Sequence, residues 1–220
     1  MKIIAFDVDG VILNSMEAFI KVTKNFIIKK GLPPIPESQY HKFNIALSSN
    51  WRAEVYEYLK IEGDPELEFK DYWSIELYKH PLKVYDGIAE AIKEVENSGY
   101  KTCVITNNAP EVFKKKSTWL PKGVQFDYIR SRDDDLYKPE PEYLGRVLEH
   151  FACQPADIIY IGDLYEDYEF AVGTGMNFIW ASYGQDNGRM ASVTGITKID
   201  RPSEIFDMIK EFKAQEEIAK

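Results

Sequence analysis

The chain has 220 residues, 45% hydrophobic and 29% charged, which is ordinary for a globular protein with one sizeable core. Its 27 basic and 36 acidic residues give a formal charge of −9, which argues against a general nucleic-acid or anionic-membrane surface. The two cysteines, Cys103 and Cys153, exclude a disulfide framework and a four-cysteine zinc site. No apolar run is long enough to span a membrane, and Asp7 and Asp9 interrupt the only early one, so we expect a cytoplasmic protein without a secretory signal.

The first apolar run ends in two aspartates. Ile3 to Phe6 predicts a buried strand, and Asp7-Val8-Asp9-Gly10 predicts the turn that leaves its carboxyl end. In an extended stretch, carboxylates two residues apart point to the same side and repel each other. A hard cation that prefers oxygen ligands, such as Mg²⁺, relieves this repulsion. The alternative interpretation of the tetrapeptide alone is a solvated acidic turn.

A helical block follows the first strand. An apolar stripe predicts a helix from Ser15 to about Lys30, which Gly31 and three nearby prolines end. Residues 37–79 predict more helix, with aromatic side chains at a spacing that indicates core packing. No strand pattern occurs in this block.

The block is smaller than a typical domain. We therefore predict that residues 14–81 form a small helical domain inserted after the first strand of a core domain. The core domain comprises residues 1–13 and 82–220.

After Pro81, helices and strands alternate. The predicted helices cover residues 87–97, the segment after Pro110, 140–151, 166–172 and 203–214. The predicted strands cover residues 102–106, 126–129, 158–161 and 177–181. This alternation predicts an α/β fold, a Rossmann-like doubly wound parallel sheet with helices on both faces.

Polar residues gather in four stretches just after the predicted strands, the third stretch beyond a loop. These stretches contain Asp7 and Asp9, then Thr106, Asn107 and Asn108, then Lys138, and then Asp163 and Asp167. Taken singly, each stretch has a plain explanation as a turn, a helix cap or a surface loop. In an open parallel sheet, however, the carboxyl ends of the strands meet at one edge, where ligands bind. The four stretches therefore predict one site.

These residue types suit phosphoryl transfer, in which positioning and charge neutralisation dominate. Asp7 is the candidate nucleophile, which forms an aspartyl-phosphate. Asp9 is the candidate acid and base, which protonates the leaving oxygen and later deprotonates the attacking water. Asp7, the backbone carbonyl of Asp9 and Asp163 are candidate ligands for Mg²⁺.

The remaining polar residues fit the phosphate itself. Thr106 and the Asn107 amide are candidate donors to phosphate oxygens, and we count Asn108 in the same substrate-binding stretch. Lys138 is the candidate cation that neutralises charge on both Asp7 and the transferring group.

At this point the sequence resembles the haloacid dehalogenase superfamily, in its phosphoglycolate phosphatase-like branch with a helical cap. The motifs that carry the resemblance are Asp7-Val8-Asp9-Gly10-Val11, Val104-Ile105-Thr106-Asn107, Lys138-Pro139 and Gly162-Asp163-Leu164-Tyr165-Glu166-Asp167. The resemblance implies Mg²⁺-dependent hydrolysis of a phosphate monoester, a small phosphorylated metabolite. From charge and hydropathy we expect no nucleic-acid or membrane partner, and we expect a monomer or a homodimer. The resemblance also makes Asp167 either a further metal ligand or a partner of Lys138.

Departures from the family pattern bear on the reaction. Asp9 is absent from the true dehalogenases, so carbon–halogen cleavage is disfavoured. Val11 with Ile12 is similar to the sugar-phosphate mutases, but Phe19 or its neighbours stand where those carry a histidine. Val11 and Asn14 replace residues that are common beside the nucleophile. The alternatives are therefore a sugar-phosphate mutase and a non-catalytic phosphate-binding or regulatory protein.

Substrate specificity in this superfamily comes from the cap. The candidate cap contacts are His41, Asn44, Asn50 and Arg52. Arg52 is suited to a second anionic group of the substrate because a guanidinium binds such groups bidentately. A solvated arginine on a helix face is the alternative.

Overall fold

A computed structural model describes residues 2–40, 51–65, 68, 76, 79–132, 136–185 and 188–218. The chain divides into two compact units, Met1–Asn14 with Val84–Lys220, and Ser15–Lys83. The division predicted from the sequence, with an inserted domain over residues 14–81, stays a prediction.

The described part of the chain contains β-strands and α-helices, which alternate through most of the first unit. The strands are β1 (Ile3–Phe6), β2 (Leu13–Asn14), β3 (Lys83–Val84), β4 (Lys101–Ile105), β5 (Tyr128–Arg130), β6 (Ile158–Gly162), β7 (Asn177–Ala181) and β8 (Thr197–Ile199). The helices are α1 (Met16–Lys29), α2 (Glu37–Tyr40), α3 (Trp51–Leu59), α4 (Ile88–Asn97), α5 (Pro110–Lys116), α6 (Gly145–Phe151), α7 (Tyr165–Thr174) and α8 (Ile205–Ile218).

Six strands form one sheet in the order β5-β4-β1-β6-β7-β8, and every described pair in it is parallel. The predicted α/β fold with a parallel sheet is confirmed. β1 lies in the middle, with Phe6 in register with Val104 of β4 and Ile161 of β6. The chain reaches one edge at β5 and then returns to the other side of β1 at β6. Such a reversal places a crevice at the carboxyl end of the central strands.

The central strands form because their residues are apolar and have neighbours on both faces. All four residues of β1 and all five of β6 are buried. Burying an isoleucine side chain contributes about 1.5–3 kcal/mol, so a polar substitution here costs much of the stability of a domain. Continuous apolar runs of this kind are typical of parallel strands covered by helices.

Several boundaries differ from those that the sequence predicts. β8 was not predicted, because three residues that include Thr197 and Lys198 carry no clear apolar pattern. The two-residue strands β2 and β3, which pair with each other, are likewise too short for periodicity. The predicted helix over 140–151 is a 3-10 turn, Pro141–Leu144, followed by α6.

The second unit contains α1, α2 and α3 among its described residues. α1 buries Phe19, Thr23, Phe26 and Ile27 of its predicted stripe. The Phe26 ring stacks on Tyr56 of α3 with centroids 5.9 Å apart. Lys30 forms an ion pair with Glu68, and the Tyr56 hydroxyl donates a hydrogen bond to the same carboxylate at 3.3 Å. Aromatic packing therefore joins two helices of this unit.

Candidate active site

The carboxyl ends of the central strands bring the predicted residues together. Asp7 directly follows β1, and its backbone N–H donates to Ile161 of β6 at 2.9 Å. Thr106 directly follows β4, and Asp163 directly follows β6. The parallel register therefore sets three polar side chains side by side at one edge of the sheet.

Lys138 is the cation of this site, and only 5% of its side chain is exposed. Its ammonium donates three hydrogen bonds, to Asp7 Oδ1 at 3.0 Å, Asp167 Oδ1 at 2.6 Å and the Tyr160 hydroxyl at 2.6 Å. Burial disfavours the charged ammonium, but the two carboxylates outweigh it and raise the pKa of Lys138. Lys138 is therefore a fixed positive charge against Asp7.

Asp7 is buried close to two other aspartates. Burial raises the pKa of its carboxyl to about 7, Lys138 opposes this rise, and Asp167 and Asp9 add to it. One lysine thus does not fully compensate the cost of an ionised Asp7. A further positive charge near this carboxylate would favour its nucleophilic form.

Asp163 supplies the clearest indication of where a cation fits. Its Oδ2 accepts a hydrogen bond from the backbone N–H of Gln185 at 2.7 Å, whereas Oδ1 is buried and has no hydrogen-bond partner. Burial, with Asp167 and Asp7 nearby, raises the pKa of Asp163 well above its usual range. A buried carboxylate oxygen without a donor is costly unless a cation binds it.

Three carboxylates surround this position. Asp7, Asp163 and Asp167 each offer an oxygen, and these oxygens lie within 4.8 Å of one another. Two glycines leave room for Asp163, because a Cβ on Gly10 would lie 1.7 Å from its Oδ2 and one on Gly184 2.5 Å from its Cβ. Hard carboxylate ligands of this kind suit Mg²⁺.

The hydrogen bonds of Asp167 favour one of its two predicted roles. Its Oδ1 accepts from Lys138 and from Tyr160, and its Oδ2 accepts from the backbone N–H groups of Asp163 and Leu164. Both oxygens are therefore engaged by protein donors. Although Asp167 belongs to the acidic cluster, these contacts suit a residue that holds Lys138 and the Asp163 backbone.

Asp9 belongs to a second group of contacts. The Asn108 side-chain amide donates to Asp9 Oδ2 at 2.8 Å and to Thr106 Oγ1 at 2.7 Å. The Lys116 ammonium lies 2.6 Å from Asp9 Oδ2 and 2.9 Å from Asn108 Oδ1. Asn108 thus connects Asp9 with Thr106, and both the amide nitrogen and the amide oxygen of its side chain have protein partners.

Asn107 also has an internal role. Its side-chain amide donates to the Lys138 carbonyl at 3.0 Å, and its Oδ1 accepts from the Lys138 backbone N–H at 2.7 Å. These two bonds fix the main chain that carries the Lys138 side chain. Substrate binding by Asn107 or Asn108 remains a prediction, and for Asn107 the backbone N–H is the group left to serve it.

Of the predicted cap residues, only Arg52 lies within the described part of the chain. Arg52 lies on α3 of the second unit and is partly buried. His41, Asn44 and Asn50 lie outside the described residues.

Three residues of the site were not predicted from the sequence: Tyr160, Lys116 and Gln185. Tyr160 belongs to an apolar strand, and Lys116 ends a run of three lysines that is typical of a solvated helix face. Gln185 contributes a backbone N–H, which every residue but proline carries. Only the glycine at position 184, just before it, indicates a close approach of the backbone.

The parallel sheet carries a candidate carboxylate nucleophile, a buried lysine and an acidic cluster at its carboxyl edge. These features are those of a hydrolase with a Rossmann-like α/β fold. The sequence model of the haloacid dehalogenase-like hydrolases matches residues 4–181. The chain belongs to this family, and the predicted family resemblance is confirmed.

Individual relatives are more distant. The chain is 26% identical to N-acetylmuramic acid 6-phosphate phosphatase from Pseudomonas aeruginosa over 95% of both chains. It is 24% identical to phosphoglycolate phosphatase 1 from the same organism, over 86% of this chain and 72% of the relative. A solved structure described as a predicted phosphoglycolate phosphatase from Haemophilus somnus is 17% identical, with a TM-score of 0.82 over 95% of this chain and 98% of that one.

In the described parts of the chain, no helix has both the length and the apolar character needed to cross a bilayer.

Proposed function

We propose that this protein is a Mg²⁺-dependent phosphatase that hydrolyses a small phosphate monoester through an aspartyl-phosphate on Asp7. The observation that carries the proposal is the buried Asp7 carboxylate, which Lys138 holds at 3.0 Å beside the unpartnered Oδ1 of Asp163. The phosphatase names of the two relatives support the substrate class.

In the first half of the reaction, an Asp7 oxygen attacks phosphorus and the bond to the leaving oxygen breaks. Asp9 donates its proton to that oxygen, so the product departs as an alcohol. The Thr106 hydroxyl accepts hydrogen bonds from Asn108 and retains its own proton for a phosphate oxygen. Lys138 neutralises charge that develops next to Asp7.

In the second half, Asp9 is a carboxylate and removes a proton from the water that attacks the aspartyl-phosphate. The new phosphorus–oxygen bond forms as the bond to Asp7 breaks, which releases inorganic phosphate and restores both aspartates. One acid–base residue thus serves both steps.

We assign Asp7, Asp163 and the backbone carbonyl of Asp9 as the groups that hold Mg²⁺. When bound, this ion supplies positive charge that offsets the repulsion between the Asp7 carboxylate and the phosphate. Asp167 then serves as the partner of Lys138 and of the Asp163 backbone. Arg52 stays a prediction for a second anionic group of the substrate.

The test is phosphate release from a panel of small monoesters, with Mg²⁺ and with a chelator. The panel includes N-acetylmuramic acid 6-phosphate and phosphoglycolate, the substrates in the names of the two relatives. We expect release that needs Mg²⁺ and that falls by at least about a thousandfold in Asp7→Asn, since no equivalent nucleophile remains. The matched control is Asp207→Asn, which changes an exposed aspartate on α8 and should leave the rate unchanged.

An Asp7→Asn protein with undiminished activity would exclude Asp7 as the nucleophile. Isomer formation from a sugar 1-phosphate, without free phosphate, would indicate the mutase instead. Binding of several phosphate esters without turnover by the wild type would indicate the non-catalytic protein.

A further inference from the structure

Lys116 is a buried cation that the proposed reaction does not use. It is the last residue of α5, and 2% of its side chain is exposed. Lys114 on the same helix is exposed. A lysine at a helix C-terminus is ordinarily solvated. Its ammonium interacts favourably with the negative end of the helix dipole while it stays at the surface. Burial of Lys116 therefore requires a partner inside the protein.

That partner is the Asp9 carboxylate. The Lys116 ammonium lies 2.7 Å from Asp9 Oδ1 and 2.6 Å from Oδ2, so both oxygens are engaged by one cation. It also donates to Asn108 Oδ1 at 2.9 Å. Asn108 in turn donates to Asp9 Oδ2 and to Thr106 Oγ1. Two donors from the segment after β4 thus hold one carboxylate of the segment after β1.

Stability alone is a weak explanation for this pair. Burying the Lys116 charge is costly, and a pair of apolar side chains of similar volume is often as stabilising as an ion pair with a buried member. A fixed carboxylate is useful where a proton must be transferred, because transfer needs a donor within hydrogen-bond reach and correctly oriented. In the proposed reaction, Asp9 is that donor.

We propose that Lys116 is a positioning residue, which orients the Asp9 carboxylate toward the leaving oxygen of the substrate. The inference rests on the proposed phosphatase function. Lys116 touches Asp9 and keeps its own protons throughout. The transferred proton moves from Asp9 to the leaving oxygen, and Asp9 regains one from the attacking water.

The test compares two leaving groups. The first substrate is p-nitrophenyl phosphate, whose phenolate departs without a proton. The second is the aliphatic monoester of the panel that the wild type hydrolyses fastest, whose alkoxide needs one. The measured quantity is kcat/KM, which covers the steps up to departure of the leaving group. The ratio of the two values is independent of the fraction of folded protein in a preparation, so loss of stability does not change it.

We expect Lys116→Met to lower kcat/KM about a hundredfold for the aliphatic ester and less than about tenfold for the aryl ester. Asp9→Asn should change the ratio in the same direction, and Asp9→Asn with Lys116→Met should add nothing to the ratio of Asp9→Asn. Lys114→Met, an exposed neighbour on α5, is the matched control and should leave both values unchanged. If Lys116→Met does not fold, Lys116→Gln gives the same ratio.

An equal loss for both leaving groups would reduce Lys116 to a structural residue and overturn the inference. Wild-type values for both substrates in Lys116→Met would overturn it as well. A wild type that hydrolyses no monoester would instead refute the proposed function, and this inference with it.

Discussion

Gly10 and Gly99 have the same left-handed backbone conformation but different surroundings. Their φ angles are +83° and +82°, where a side chain costs about 1–2 kcal/mol. A Cβ on Gly10 would lie 1.7 Å from Asp163 Oδ2, whereas one on Gly99 has no atom within 4 Å. The two positions therefore separate the cost of the backbone from displacement of a site residue.

We predict that Gly99→Ala destabilises the protein by about 1–2 kcal/mol. Gly10→Ala should destabilise it by more, because the added methyl group must also displace the buried Asp163 carboxylate. Only Gly10→Ala should lower kcat/KM, by about a hundredfold, because a misplacement of about 1 Å among the residues of an active site has an effect of that size. Urea denaturation measures the first quantity and phosphate release the second. Equal activity in the two variants would show that Asp163 accommodates the methyl group without functional loss.

The two cysteines report on the position of β4 within the sheet. Cys103 is fully buried, in register with Ala5 of β1 and Tyr128 of β5, and burial raises the pKa of its thiol. Cys153 is partly exposed and follows α6. The thiolate is the reactive form of cysteine, so burial and a raised pKa both protect Cys103.

We predict that one thiol per chain reacts with an aromatic disulfide reagent under native conditions, and that it belongs to Cys153. Cys103 should react at least about a thousandfold more slowly, since a central strand opens only with global unfolding. Cys153→Ser should show almost no native labelling and one thiol in denaturant. Rapid labelling of this variant without denaturant would contradict the central position of β4.

The accuracy of a predicted strand boundary depends on how many residues of the strand follow a clear apolar pattern. β1, β6 and β7 were predicted to within a residue, because four or five consecutive apolar residues with turn residues after them leave little ambiguity. β5 begins at Tyr128 instead of Phe126, since the Asp127 carboxylate accepts a bond from the Thr102 N–H. The two bonded residues are 25 positions apart in the chain, so this contact leaves no local sequence pattern.

Mg²⁺ should act on the whole molecule, which carries a formal charge of −9 and a buried acidic cluster. A ligand that binds only the folded chain adds about 2.7 kcal/mol at a hundred times its Kd. For a chain of this length, that corresponds to about 5 °C or more in Tm.

We predict this rise for the wild type by calorimetry, at constant ionic strength set with NaCl. Asp163→Asn should abolish the rise, because it removes the carboxylate whose Oδ1 has no hydrogen-bond partner. Asp207→Asn should retain the rise. A rise of the same size in Asp163→Asn would place the ion elsewhere.

The sequence by itself determined the α/β class, the parallel sheet and the convergence of Asp7, Thr106, Lys138 and Asp163. The physical reason is that apolar runs predict strands locally, and parallel strands end at one edge. Each of these predictions needed only the residue pattern within its own segment.

Only the tertiary structure decided how the polar side chains divide their work. The Asn107 side chain donates to the Lys138 backbone, and Asp167 and Tyr160 contact the Lys138 ammonium. Lys116, the last of three consecutive lysines, is buried against Asp9. Lys116 and Asp9 are 107 residues apart, and Lys138 and Asp7 are 131 apart. Such pairs depend on how helices and loops pack over the sheet, and burial then requires each charge to find a partner.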